Sequence, residues 1–438
     1  MNYDKTFKGP NTDLPKPALP ASVFLFATLT AMGSGLVRAQ TVPALSTDTI
    51  TLRQALELAE RDNAEVSAAR KRWEAAQKVA VQAATLDKPR LDIERMYVPA
   101  GERLFGGVGE RNIAVTQEVP FPTTLYLRRS RAATEALIAE QGYHAKLREI
   151  RAKTAAAYAD LFFAYKGAEI FNENVEVMRR FSKIAESRYA SGHASQLDAL
   201  KAQVELTKML NKTLEVERDR QVSEAMLDSL LNRDARTPLP APADPKTGAL
   251  NASLVDLEAS ALAHRPELRQ AFLGVERART SLSLARSEFL PDFMLQYRWR
   301  NDSMRGSSND AVLGLSLPLW FWKPAAMAAQ ARVEKEAADA DLQAAKVGTS
   351  AELKAVFIGA QTAGRLAEVY RTSLLPQAQE ALNVAEAGYQ ANTIGFLDLL
   401  DAQRSLLDSR LEYYRYASEF QRQLAELERV IGQEMSTP

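Results

Sequence analysis

The most restrictive feature of this sequence is that it is written twice. The segment from Thr51 to Asn232 recurs from Leu254 to Gly432, and the match is strongest around one turn. Arg188-Tyr189-Ala190-Ser191-Gly192 and Leu197-Asp198-Ala199-Leu200-Lys201-Ala202-Gln203 align with Gly388-Tyr389-Gln390-Ala391-Asn392 and Leu397-Asp398-Leu399-Leu400-Asp401-Ala402-Gln403. The offset stays at 200 from Tyr189 through Asn232, and Pro89 matches Pro291 further upstream. Between the copies, Thr237-Pro238-Leu239-Pro240-Ala241-Pro242-Ala243-Asp244-Pro245 cannot continue a helix. The expected organisation is a first structural repeat over 40–236, a Pro-rich linker over 237–253 and a second repeat over 254–438.

Each copy carries the same parts in the same order. An Ala-rich stretch, from about Leu52 to Leu86 and from about Glu267 to Phe289, predicts helix and ends before a Pro. Two short alternating segments follow, expected as strands at about 90–98 and 112–119, then at about 292–300 and 311–319. Their loops are the Gly-rich Pro99 to Arg111 and Asn301 to Asp310. Phe293, Leu295, Tyr297 and Trp299 share one face, opposite Asp292, Met294, Gln296, Arg298 and Arg300. The first face suits lipid and the second water. In the first copy Leu91, Ile93 and Tyr97 alternate with Asp92 and Glu94, but Arg95 and Gln117 break the pattern. Eight or nine residues approach the roughly 9–11 that a tilted transmembrane strand needs.

Aromatic residues then cluster at Phe121 and Tyr126 and at Trp320-Phe321-Trp322, as an interfacial girdle would require. Long helices are expected next, at about 123–190 and 196–231 and at about 324–388 and 396–432. Pro324 suits the first helical position, and Pro376 should kink or restart its helix. The Pro-free run from Thr123 to Ala190 would reach ~100 Å, far more than one globular core needs. Gly192 and Asn392 are residue types that readily adopt the left-handed conformation closing a helix. Ser195 and Asp198 then read as a capping-box variant, and Asp398 also sits at a helix start.

Composition removes several function classes. Lys plus Arg and Asp plus Glu both number 55, so no basic excess exists to neutralise a nucleic acid. The chain has no cysteine, and His144, His193 and His264 lie in no ligand-like spacing. No metal, cofactor or catalytic residue is expected, and no phosphate loop or nucleophile motif points to an enzyme. Residues 1–39 read as a signal peptide: Lys5, Lys8 and Lys16 precede an apolar stretch from Ala21 to Val37 and a Val37-Arg38-Ala39 pattern.

This duplicated order of helix, hairpin, very long helix, turn and return helix resembles the TolC-like outer-membrane efflux protein family, over nearly the whole mature chain. Tyr189-x-x-Gly192-x5-Asp198, its counterpart from Tyr389 to Gln403, and Leu290-Pro291-Asp292-Phe293 leading into Leu315-Ser316-Leu317-Pro318-Leu319 carry the resemblance. It implies a mainly α homotrimer with a small β part: four strands per protomer complete a twelve-stranded outer-membrane barrel, continued by a periplasmic α-helical tunnel. It also implies a passive exit duct joined to a periplasmic adaptor and an inner-membrane transporter of the resistance-nodulation-division type, with the cation-efflux branch as a plausible relative. Phe293, Leu295, Tyr297 and Trp299 would then meet lipid, with Phe121, Trp320 and Trp322 at its boundary. The turns bearing Tyr189, Gly192, Tyr389 and Asn392 would dock the adaptor, and Asp198, Lys201, Asp398, Asp401 and Arg404 would hold the inner mouth closed. The alternative is a soluble periplasmic coiled-coil adaptor or scaffold, using the same hairpins without a barrel.

Overall fold

The computed structural model describes residues 49–97, 101, 109–245, 250, 252–302 and 306–435. The expected signal peptide and most of the hairpin-loop tips fall outside them. The described chain is mostly helical with one four-stranded sheet and a two-stranded pair.

After a short strand β1 (Thr49–Ile50), the expected first helix is two helices, α1 (Leu52–Asp62) and α2 (Ala64–Gln82). Thr51 and Gln54 form a capping box at the start of α1. The break falls at Asn63, whose Oδ1 accepts from Glu65 N at 2.8 Å and Val66 N at 3.2 Å, while its Nδ2 donates to the Leu230 carbonyl at 2.9 Å. Capping α2 in this way leaves Asn63 outside the helix. Strands β2 (Arg90–Met96) and β3 (Glu110–Val119) lead into α3 (Pro122–Ala190), whose 69 residues span ~100 Å with Pro122 opening the first turn. Helix α4 (Gln196–Leu230) returns along it. Within the expected linker, β4 (Ala241–Pro242) pairs in parallel with β1.

The second half places α5 (Leu254–His264) and α6 (Pro266–Ser287) before β5 (Asp292–Asp302) and β6 (Gly306–Ser316). Strand β6 stops short of the expected 319 because Pro318 has no N–H for a ladder, and β2 ends at Met96 because Tyr97 turns to φ +57°. Helix α7 (Trp322–Val369) begins two residues before Pro324, which thus lies inside the first turn rather than opening it. A π-helical turn, Tyr370–Leu374, separates α7 from α8 (Leu375–Gln390). Pro376 has no N–H to offer the carbonyl one turn back, so the ladder changes register there. Helix α9 (Phe396–Ile431) closes the fold, ending on Gly432 at φ +76°.

The large sheet runs β2-β3-β5-β6, antiparallel throughout. The two hairpins join edge to edge, with Val115 opposite Tyr297 and Val119 opposite Phe293. Asp292 Oδ1 accepts from Phe121 N at 3.0 Å, tying the start of α3 to the second hairpin. Below the sheet, α3 packs against α4, α6 and α9, and α7 against α6 and α9. Its core is divided: Leu257, Leu353, Leu427 and Ile431 cluster where α5, α7 and the end of α9 meet, whereas Met178, Phe181, Leu382, Tyr389, Phe396 and Leu399 cluster near the far turns.

Candidate membrane-spanning sheet and helical tip

The strand register sorts the sheet's side chains into two chemically opposite faces. One carries Leu91, Ile93, Ile113, Val115, Val119, Phe293, Leu295, Tyr297, Trp299, Leu313 and Leu315. Many are exposed, Leu313 at 73% and Leu91 at 61%. Burying each such side chain would be worth about 1.5–3 kcal/mol, so a contiguous apolar face of this kind requires an apolar covering. Gln117 interrupts the face, yet its Nε2 donates to the carbonyls of Asp87 at 3.0 Å and Glu118 at 2.8 Å. That pairs its amide N–H groups with backbone carbonyls. The other face is polar: Arg300 reaches Glu110 at 2.9 Å and Asp310 at 3.0 Å, and Gln296 donates to Thr116 Oγ1 at 2.9 Å.

Aromatic rings mark the end of the sheet from which the helices leave. Trp320 and Trp322 lie 5.3 Å apart by ring centroids and are both exposed, while Phe121 stacks on Phe293 at 6.3 Å. Among the described residues no helix is long and apolar enough to cross a membrane.

At the far end, both helix-to-helix turns close with left-handed residues, Gly192 at φ +77° and Asn392 at φ +64°. His193 N donates to the Arg188 carbonyl at 2.8 Å and Thr393 N to the Gly388 carbonyl at 2.9 Å, satisfying helix-end acceptors in the same pattern. The next helices are capped by Asp198 Oδ2, accepting from Ser195 N at 3.2 Å, and Asp398 Oδ2, accepting from Gly395 N at 3.2 Å. Both carboxylates are therefore engaged in capping.

The expected tip residues occupy different environments. Tyr189 is 48% exposed, whereas Tyr389 is 4% exposed, its ring tilted against that of Phe396 at 5.6 Å in the cluster between the hairpins. Tyr389 thus packs the two hairpins together, while Tyr189 faces outward. Lys201 makes no ion pair among the described residues. Arg404 meets Asp401 only at 3.7 Å, and its closer partner is Glu205 at 2.7 Å, which Lys208 also reaches at 2.8 Å. Burial opposes ionisation of Glu205, but Lys208 and Arg404 together hold its carboxyl below the ordinary range.

Two cross-hairpin contacts escape sequence reasoning. Arg188 donates to the Tyr389 carbonyl and, at 2.5 Å, to Asn392 Oδ1, with its guanidinium 4.6 Å from the Tyr389 ring centroid. The available signal was the mismatch between Arg188 and Gly388 inside an otherwise matched turn. Gln403 donates to the buried Asn174 Oδ1 at 2.5 Å, pinning α9 against α3. Among the described residues no group of three or more His, Asp or Glu is placed to hold a metal ion.

The model of the outer membrane efflux protein family matches residues 55–233 and 257–433, most of the chain. This chain belongs to the outer membrane efflux protein family. As such it is an export channel of the outer membrane with a periplasmic helical portion, works with an adaptor and an inner-membrane transporter, and is not an enzyme. It is 25% identical over 396 residues to the cobalt-zinc-cadmium resistance protein CzcC of Cupriavidus metallidurans, covering 87% of this chain and 90% of the relative. To CyaE of Bordetella pertussis it is 26% identical over 293 residues, covering 64% and 61%. Solved structures of several proteins share the fold, two of them CusC and VceC. That of CusC has a TM-score of 0.76 at 15% identity, covering 90% of this chain and 96% of the other. That of VceC from Vibrio cholerae has a TM-score of 0.74 at 20% identity, covering 87% and 96%.

Proposed function

We propose that this chain is one third of a closed exit duct, in which β6 of each copy pairs with β2 of the next to make a twelve-stranded outer-membrane barrel above a periplasmic helical tunnel. The observation that carries this reading is a sheet with one exposed apolar face and two open edges, β2 and β6. Unpaired backbone groups at those edges would be costly in lipid, and closure removes them. Two structural repeats, 40–236 and 254–438, would each supply two strands and one helical hairpin. The segment 237–253 would link them, and 1–39 would direct export.

The cargo assigned here is a metal cation and the inner-membrane partner a resistance-nodulation-division transporter. Support comes from similarity over most of the chain to a protein named for cobalt, zinc and cadmium resistance. The adaptor docks at the turns bearing Tyr189, Gly192 and Asn392, the points farthest from the sheet along ~100 Å helices. The same end closes at rest through charges near the turns, with Asp198 and Asp398 stiffening the helix starts while Lys201, Asp401 and Arg404 face neighbouring hairpins.

Cross-linking and mass measurement of the detergent-extracted protein test the assembly. A cross-linked trimer is expected. A monodisperse, fully stable monomer in the absence of detergent would overturn the barrel and the tunnel together.

A further inference from the structure

The apolar face of the sheet has a charged margin that export does not use. Moving along that face toward the loops, the cross-strand rows are Val119–Phe293–Leu315, Gln117–Leu295–Leu313, Leu91–Val115–Tyr297–Ala311 and Ile93–Ile113–Trp299–Asn309. The next row is Arg95–Arg111–Asn301–Ser307. Strand alternation places that row on the same face, about 7 Å beyond the last apolar one. Arg95 and Arg111 are the only charged residues on this face among those described. They stand directly opposite each other on β2 and β3.

Like charges in directly opposed positions repel, so the pair by itself does not strengthen the pairing of β2 with β3. Polar side chains such as Asn301 and Ser307 would suffice for a strand leaving lipid. Arg111 is exposed and makes no ion pair among the described residues. The helices, which form the periplasmic portion, leave from the opposite end of the sheet, so this row lies at the outer leaflet. Guanidinium groups hold phosphate through paired N–H donors, and two of them side by side match a phosphorylated headgroup better than any neutral one. Trp299, one row inward, brings an amphipathic ring to the depth where headgroup meets acyl chain.

We infer that Arg95 and Arg111 form a binding site for the phosphate of an outer-leaflet phosphorylated glycolipid, repeated on each copy around the barrel. The inference rests on the apolar face meeting lipid. The test reads assembly and lipid preference separately, so failure of one is distinguishable from failure of the other.

Native mass spectrometry of the purified channel, titrated with bisphosphorylated lipid A or its dephosphorylated counterpart, measures the preference. The wild-type channel should favour the phosphorylated lipid by about tenfold. Arg95→Ala combined with Arg111→Ala should abolish that preference while leaving oligomeric mass and melting temperature unchanged. Arg95→Lys with Arg111→Lys should keep part of it, and Arg90→Ala, on the opposite face, should keep all of it. If the double alanine variant does not assemble, the exposed Arg111→Gln alone gives the same readout. Equal binding of both lipids by the wild type, or a preference that survives removal of the arginines, would overturn the site.

Discussion

Tyr158 shows how one side chain joins distant parts of the sequence. It is 2% exposed in α3, and its hydroxyl lies 2.9 Å from the Ile50 carbonyl and 2.8 Å from that of Ala243, holding β1 and β4 against the long helix. Burial pushes its phenol up to about 12, with the hydrogen bond to Ala243 acting the other way. Because the folded state keeps the proton longer than the unfolded chain, whose phenol titrates near ~10, this contribution is fully present below about pH 10. It is lost as pH rises from there to about 12. Tyr158→Phe removes the single hydroxyl proton that the Ile50 and Ala243 carbonyls share and should cost about 1–3 kcal/mol. Unfolding midpoints at pH 8 and pH 11 would show it: the variant should lie below the wild type at pH 8, and the gap should narrow at pH 11. A constant gap would mean that the hydroxyl's proton does not supply the stability.

At the scale of single elements, the faces of β5 and the turn after α3 make separable predictions. Leu295 lies on the apolar face and Gln296 on the polar one. Arg near a bilayer midplane costs about 2–4 kcal/mol in such barrels, so Leu295→Arg should impair insertion and Gln296→Arg should not. Equal outer-membrane yields would reverse the assignment of faces. In the turn, a Cβ on Gly192 would meet nothing within 4 Å, so the obstacle there is the backbone alone, at φ +77°. Gly192→Val should strain the turn by about 1–3 kcal/mol and reduce export while the oligomer still forms. Gly192→Asn, matching Asn392 of the other turn, should restore export. Export unaffected by valine would remove this turn from the docking surface.

For the molecule as a whole, the two helical hairpins are held together at the end far from the sheet by contacts between them. Arg188 spans to the second turn, Gln403 to Asn174, and Arg404 to Glu205. Glu205 is 8% exposed while the Asp401 side chain is 73% exposed, and an exposed pair contributes only about 0–1 kcal/mol. Removing Glu205 leaves Arg404 and Lys208 beside a buried site without their counter-charge, a larger loss. In planar bilayers Glu205→Ala should therefore raise the open fraction more than Asp401→Ala. The reverse order would restore the exposed charges as the principal restraint.

Much of this protein is determined by local pattern. Period-two alternation is enough to separate Leu295 from Gln296, and a long run without Pro specifies α3, since backbone hydrogen bonding along a helix needs no distant partner. Gly192 and Asn392 mark turns because few other residues tolerate a positive φ. Family membership was legible for the same reason: the order of such elements is a property of sequence. Tertiary structure decided everything that depends on which distant residues meet. Tyr189 and Tyr389 occupy equivalent places in matched motifs, yet only Tyr389 is buried, because the second turn packs beneath Arg188 of the first. Asn63 interrupts a helix-favouring run because its side chain also reaches Leu230. Arg404, which sequence proximity would assign to Asp401, is drawn to Glu205 on another helix, where burial strengthens the attraction that water screens at the surface.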